Sequence, residues 1–531
     1  MKKYKFFLIF IININSFLFL TENTDTDTIR FAFILTRTGA HSPSKLNKIY
    51  SNTTNNEIGK DIFGYEWIGE NELTYVGKRQ QYYLGYHNNL RYKNILFSET
   101  YHPKELLSMS SECNKTIQSS YANLHGLYQS SNLTLTYQQT INAVPPLDSD
   151  KGYIDAKKEL DEDKLVLPRN VQIVPVHTFY EKDHNYLLEK VENCPNSKMI
   201  YDEIELSSKK KIKEILYYKS DDINSNNKTY GEILIDILNE EKIFNETYDI
   251  NSLLNNFTLF QIIAETFICD YFEVVNFDKF TKNGINIYKL LQMFEEFFAA
   301  ISIGGSTMGG EGDPKKSEKI YEFSQKVNYG LFNDLLNWIK IRIDNDIKNN
   351  CDILLYESPK IVSYFSHHRS IESLYYFLKE TFNIKNATNS LYVNFTSFLS
   401  IEVNRKKKNN EEYSLNDFYI KFIYDNQQLG DIIPYKEFYD KINEKIISLE
   451  ELKDFCGIIE EEEAEKKDND NDNNKDKEES NDLRLKILGI ILIGIFVVLV
   501  FFIIFFVVKM IKERNHVILN EEIISDQQHI N

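Results

Sequence analysis

The sequence predicts an α/β fold: a central mixed sheet flanked by helices, with an inserted α-helical subdomain. Three observations carry that reading. Two strand–polar loop–helix units stand far apart, at residues 29–43 and 360–378. A pair of β-rich runs, 393–404 and 417–424, flanks a Lys/Asn-rich turn and reads as an antiparallel hairpin. Residues 180–300 show long helical patterns with little strand signal.

In chain order, residues 29–35 form a near-continuous apolar run of β-favouring side chains, the pattern of a strand buried on both faces. A polar loop with Gly39 and Pro43 follows. Residues 73–90 and 114–127 carry helical periodicity, and 170–177 reads as a strand. The second unit repeats the logic of the first. Residues 360–365 read as a buried strand, Ser366, His367, His368 and Arg369 as its loop, and 370–378 as a helix. In an open α/β sheet such loops build the site beyond the carboxyl ends of the strands. The glycines at 304, 305, 309 and 310 lack the Lys-Ser/Thr ending of a phosphate loop and read as a connection.

The ends of the 531-residue chain set its expected address. Residues 1–20 pair a lysine-rich start with an apolar run, the pattern of a signal peptide. Residues 487–508 are apolar without a charge or a proline, long enough for one membrane-spanning helix at about 1.5 Å per residue. Between them, 21–459 is the expected ectodomain, with 180–300 as its α-rich insertion. An acidic stalk, 460–486, follows; twelve acidic residues against four lysines within 460–482 leave it nothing to bury. Residues 509–531 form a cytoplasmic tail. The expected protein is thus a single-pass membrane glycoprotein, its ectodomain extracellular or in the lumen of an acidic vesicle or lysosome. Sequons at Asn52, Asn114, Asn132, Asn227, Asn245, Asn256, Asn386 and Asn394 all precede the membrane segment. Five cysteines rule out a small disulfide scaffold, although some pairing is expected in that compartment. A net charge of −18 argues against nucleic acid as a partner.

Several stretches then fall into a recognisable order. Residues 37–43, Arg-Thr-Gly-Ala-His-Ser-Pro, resemble the R-H-G-x-R-x-P signature of histidine acid phosphatases. Residues 72–80 resemble the family's E-L-T-x-x-G-x-x-Q helix, and 109–116 its R-S-T-D-x-x-R-T segment. Residues 175–178 and 364–368 follow, the latter where the family has Y-S-G-H-D. The resemblance spans roughly residues 28–445. It implies a phosphomonoester hydrolase fold in which arginines grip the phosphate, a neutral histidine attacks phosphorus and an aspartic acid protonates the leaving group. No metal and no other cofactor belongs to that chemistry.

Position by position, the resemblance implies a degenerate site. Arg37 is kept as a phosphate ligand, and His367 matches the second catalytic histidine. Thr38 replaces the nucleophilic histidine, and a Thr hydroxyl without an adjacent base is a poor nucleophile. His368 replaces the proton-donor aspartate. His41 and Met109 stand where arginines are expected, and Met109 brings no charge. The expected function is therefore a membrane-anchored family member with impaired catalysis that binds a phosphomonoester, another anionic ligand or a protein. The alternatives are a weakly active acid phosphatase using His367 and His368, and a glycosylated surface protein with a vestigial site.

Overall fold

The computed structural model describes residues 28–46, 59–129, 134–143, 164–178, 208–220, 228–240, 248–301, 322, 326, 328–348, 359–388, 391–407 and 412–457. The signal, stalk, membrane and tail segments lie outside these residues, as do the 304–310 glycines and the hairpin turn at 408–411. The chain divides into two compact units between Ile458 and Ile459. All described residues belong to the first unit.

Seven strands form one sheet in the order β3-β2-β4-β1-β5-β6-β7. They are β1 (Thr28–Arg37), β2 (Leu106–Ser110), β3 (His177–Thr178), β4 (Ile361–Ser366), β5 (Phe398–Arg405), β6 (Phe418–Tyr424) and β7 (Gln427–Pro434). β3, β2, β4 and β1 run parallel; β5, β6 and β7 are antiparallel to their neighbours. This is the mixed sheet that the sequence predicts. β4 is buried along its whole length and β1 from Phe31 to Thr36, as their apolar runs require. At 170–177 the strand signal overreached. Pro168 opens a single 3-10 turn, Pro175 removes another backbone donor, and only His177–Thr178 pairs, with Met109–Ser110.

Helices cover both faces. Helices α1 (Tyr75–Tyr92) and α2 (Asn114–Leu127) flank one side, where Tyr92, Leu124 and Leu127 close over Ala32 and Ile34. Further helices include α3 (Tyr230–Glu240), α4 (Phe257–Glu273), α5 (Phe277–Lys282), α6 (Ile287–Ala300), α7 (Tyr329–Lys348), α8 (His368–Phe382) and α9 (Tyr435–Asn443). α7, α8 and α9 bury the opposite face against Phe31, Phe33, Leu35 and Val362. Helices α3 to α6 build a separate apolar cluster around Phe260, Phe267, Phe294 and Phe297. That cluster also takes in Ala40, Phe63, Trp67 and Phe395, so the α-rich segment packs directly on the loops at the strand ends. Each fully buried Phe or Leu contributes roughly 1.5–3 kcal/mol of apolar transfer.

Candidate functional site

Parallel pairing places Arg37 opposite Ser366. β1 and β4 therefore release their chains side by side, one into Thr38 and the other into His367. Thr38 N donates to Ser366 O at 3.3 Å, tying the two exits together. His367 is the extended N-cap of α8 and His368 its first residue.

The loop from Arg37 to Ser42 lies directly on the first turn of α1. A Cβ on Gly39 would sit 2.4 Å from Gly77 O, and one on Gly77 2.0 Å from Ala40 O. Only glycine permits that approach. The side chain of Thr74 caps α1 at Gly77 N and also donates to Ala40 O at 3.0 Å. Gln80 Oε1 accepts from Ala40 N at 2.9 Å, Gln81 Nε2 donates to Arg37 O at 2.7 Å, and Gly39 N donates to Ser119 Oγ at 3.2 Å. The backbone of this loop is fixed by these bonds before any ligand arrives.

Arg37, His41, His367 and His368 come together at the strand ends, close enough that each histidine feels the Arg37 charge. The Arg37 guanidinium stands 4.3 Å from the Phe395 ring centroid and 6.0 Å from that of Tyr392, and donates from Nη1 to Val393 O. These contacts hold its plane in one orientation. Thr38 is present as well, 1% exposed.

One further cation is present that the sequence motifs did not single out. Lys115, in the first turn of α2, is 7% exposed and lies at the same site. Its Nζ is 3.4 Å from His41 Nε2 and donates to Asn71 Oδ1 at 2.7 Å. Met109, by contrast, packs against the apolar cluster under α7 and α8. The sequence does carry a signal for Lys115. The R-S-T-D-x-x-R-T pattern contains two arginines, and Lys115 aligns with the second.

Burial sets the electrostatics. Desolvation, then Lys115 and Arg37, drive the His367 pKa down to about 3. His368 and His41 are pushed well below the ordinary histidine range by the same burial, then by Arg37 and by Lys115 respectively. His41 uses both nitrogens: Nδ1 donates to Ser42 O at 2.8 Å, which leaves Nε2 to accept from Lys115. It therefore has no lone pair with which to deprotonate Thr38. Burial also lowers the Lys115 pKa, while Glu265 of α4 opposes that shift. Glu265 itself accepts from Ser44 N at 3.2 Å and Ser44 Oγ at 2.5 Å. Among the described residues, neither Arg37 nor Lys115 has a carboxylate within ion-pair distance.

Among the described residues the site thus brings together the Arg37 and Lys115 cations and three neutral imidazoles, with the Arg369 charge also acting on His367 and His368. An ammonium has three N–H donors, and Lys115 has two acceptors in place. Among the described residues no group of three His, Cys, Asp or Glu side chains is arranged to hold a metal ion. Cys113 and Cys269 are free thiols, and Cys456 is disulfide-bonded.

The model of the histidine phosphatase superfamily (branch 2) matches residues 41–425. No curated protein sequence matches the chain significantly. Among solved structures, it is similar to the Klebsiella sp. ASR1 phytase, with 11% identity, 79% of this chain and 96% of that chain covered, and a TM-score of 0.45. The Citrobacter braakii phytase gives 12%, 81%, 99% and 0.44. The Bifidobacterium longum multiple inositol polyphosphate phosphatase in complex with inositol hexasulfate gives 12%, 77%, 88% and 0.37.

Proposed function

Because the chain belongs to branch 2 of the histidine phosphatase superfamily, we propose that it retains a phosphomonoester-binding cleft while its hydrolytic chemistry is largely lost. One observation carries this reading: Arg37 and Lys115 face one cleft without a carboxylate partner among the described residues, beside a threonine at the expected nucleophile position. A buried cation without an ion pair, such as Lys115, is costly, and an anionic ligand lowers that cost. A phosphate dianion would accept from the Arg37 guanidinium and from the third Lys115 N–H. The neutral imidazoles of His367 and His368 would donate from whichever nitrogen carries hydrogen.

Hydrolysis needs two further steps, and the cleft is poor at both. The nucleophile would be Thr38, and His41, with both ring nitrogens engaged, cannot serve as its base. The leaving alkoxide needs a proton, yet burial keeps His368 unprotonated well below neutral pH. The same shift weighs against a weak phosphatase that uses His368 as its acid. A neutral His367 has a lone pair for attack, but that route lacks the donor as well.

The apolar stretch 487–508 supports membrane anchorage, with the signal-like start placing the cleft outside the cell or in a vesicle lumen. Among the described residues no helix is long and apolar enough to cross a membrane; 487–508 lies outside them. Deleting 487–508 should move the chain from the membrane pellet to the supernatant, and retention in the pellet would remove the anchor from the proposal. For the cleft, the test is thermal shift of the detergent-solubilised full chain with inorganic phosphate, together with an aryl phosphate assay at acid pH. Stabilisation by phosphate with turnover well below about 1 s⁻¹ is expected. No stabilisation would leave a vestigial cleft; turnover at ordinary enzyme rates would restore an active phosphatase.

A further inference from the structure

The strongest unused feature lies outside the cleft, where the α-rich segment meets the turn that leads into α1. Asp61 and Asp270 are both 0% exposed. Asp61, in the turn 59–67, accepts from Phe63 N at 2.7 Å and Tyr65 N at 3.1 Å through Oδ1, and from Trp67 Nε1 at 2.7 Å through Oδ2. Asp270, in the last turns of α4, accepts from Asn276 Nδ2 at 2.7 Å through Oδ2, and its Oδ1 has no donor aimed at it. The two carboxyl groups lie close enough for each to act on the other's titration. Aromatic edges pack around them, Phe63 on Phe280 at 4.9 Å and Phe280 on Phe267 at 4.9 Å.

Two ionised carboxylates cannot face each other in such a dry place. Asp61, which receives three N–H bonds, is the natural carboxylate. Asp270 then carries the proton, and its otherwise idle Oδ1 becomes a hydroxyl that donates to Asp61. We propose that Asp61 and Asp270 form an acid-closed latch, in which one shared proton holds α4 on the 59–67 turn and its loss releases them. Among the described residues, the other titratable groups facing the pair are Lys279 and Cys269. The Lys279 ammonium is engaged on Phe63 O, and burial keeps Cys269 a thiol.

Burial, and then the Asp61 charge, raise the Asp270 pKa well above the ordinary carboxylate range; burial raises Asp61 too. A raised folded-state pKa gives stability that is fully present below the unfolded carboxyl pKa and lost as pH rises through the folded value. The latch therefore closes in acid and opens towards neutral and alkaline pH. Release would be felt at the cleft. α4 also carries Glu265, which holds Ser44, and Cys269, which feels the Lys115 and Arg37 charges.

The test uses the detergent-solubilised full chain and Asp270→Asn. The amide keeps the shape and donates to Asp61 at every pH, while its oxygen still accepts from Asn276. Melting temperatures are read from about pH 4 to about pH 9. The variant should gain on the wild type as pH rises, reaching an advantage of roughly 2–8 °C. Hydrogen-exchange protection factors across 59–67 and 257–273 should fall with pH in the wild type and stay level in the variant. A melting-temperature difference that is constant across pH would overturn the latch. Should Asp270→Asn fail to fold, the wild-type exchange profile decides alone: protection that does not change with pH overturns the proposal.

Discussion

Lys115 Nζ lies 3.4 Å from His41 Nε2. The contact joins the loop after β1 to the first turn of α2, and it places a buried ammonium beside an imidazole that burial keeps neutral. His41 stands where the family resemblance expects an arginine on the loop, and a cation beside its ring comes from a neighbouring helix. A flexible ammonium replaces a rigid bidentate fork there.

Lys115→Met should separate binding from stability. Removing a buried cation without a carboxylate partner should leave the ligand-free protein as stable as before, or raise its melting temperature. Phosphate binding should weaken about 10–100-fold, the loss of one charge-assisted hydrogen bond worth roughly 1.5–3 kcal/mol. Lys115→Arg should keep most of the affinity. Calorimetric titration with inorganic phosphate reads both, and equal affinity in the methionine variant would exclude Lys115 from the ligand.

The scaffold itself should still support hydrolysis. The combination Thr38→His, His41→Arg and His368→Asp supplies a nucleophile, a planar cation and a proton donor on a loop whose backbone is already fixed by Gly39, Gly77 and Thr74. Aryl phosphate turnover at acid pH should rise at least about 100-fold over the parent. A folded triple variant with parental activity would mean that these positions do not meet the reacting phosphorus.

Acid should weaken the fold through the buried histidines. With its folded pKa at about 3, His367 contributes stability that is present above the unfolded histidine value and lost as pH falls towards 3. The slope is about 1.4 kcal/mol per pH unit for one such group. His367→Asn should remove that much of the slope in urea midpoints measured between about pH 4 and pH 7. An unchanged slope would show that His367 titrates normally. This trend opposes that of Asp270, so the two are separable only by comparing variants.

Glu402 should matter for stability and not for the cleft. It is 1% exposed on β5 and receives Arg91 Nε at 2.7 Å, Arg91 Nη2 at 2.9 Å and Tyr92 Oη at 2.6 Å. Glu402→Ala strands a cation and a phenol, which costs about 3–5 kcal/mol. Denaturant unfolding reads it directly, and a loss below about 1 kcal/mol would mean that the Arg91 end relaxes into water.

Local pattern explains how much could be read in advance. The apolar runs at β1 and β4 announce strands buried on both faces, and the periodicity at 73–90, 114–127 and 370–378 announces the helices found at Tyr75–Tyr92, Asn114–Leu127 and His368–Phe382. These signals depend only on side chains a few residues apart. The segment at 170–177 has the right apolar content, but Pro168 and Pro175 remove backbone donors, so two residues alone reach the sheet. Arg37 is legible at the end of β1, and His367 and His368 just after β4, where the strand pattern and the family motifs coincide. Their meeting follows from the parallel register of Arg37 with Ser366.

By itself the sequence determined the fold class, the strand-end loops, the threonine where the family resemblance expects a nucleophilic histidine, and the apolar segments expected to set the address. Only the tertiary structure decided that Lys115 and not Met109 stands beside His41, that all three cleft histidines are held neutral, and that Asp61 meets Asp270. The reason is physical. A strand or helix is announced by its own residues, whereas a pKa or a counter-ion depends on which distant groups share the same dry space, and that is fixed only when the elements pack.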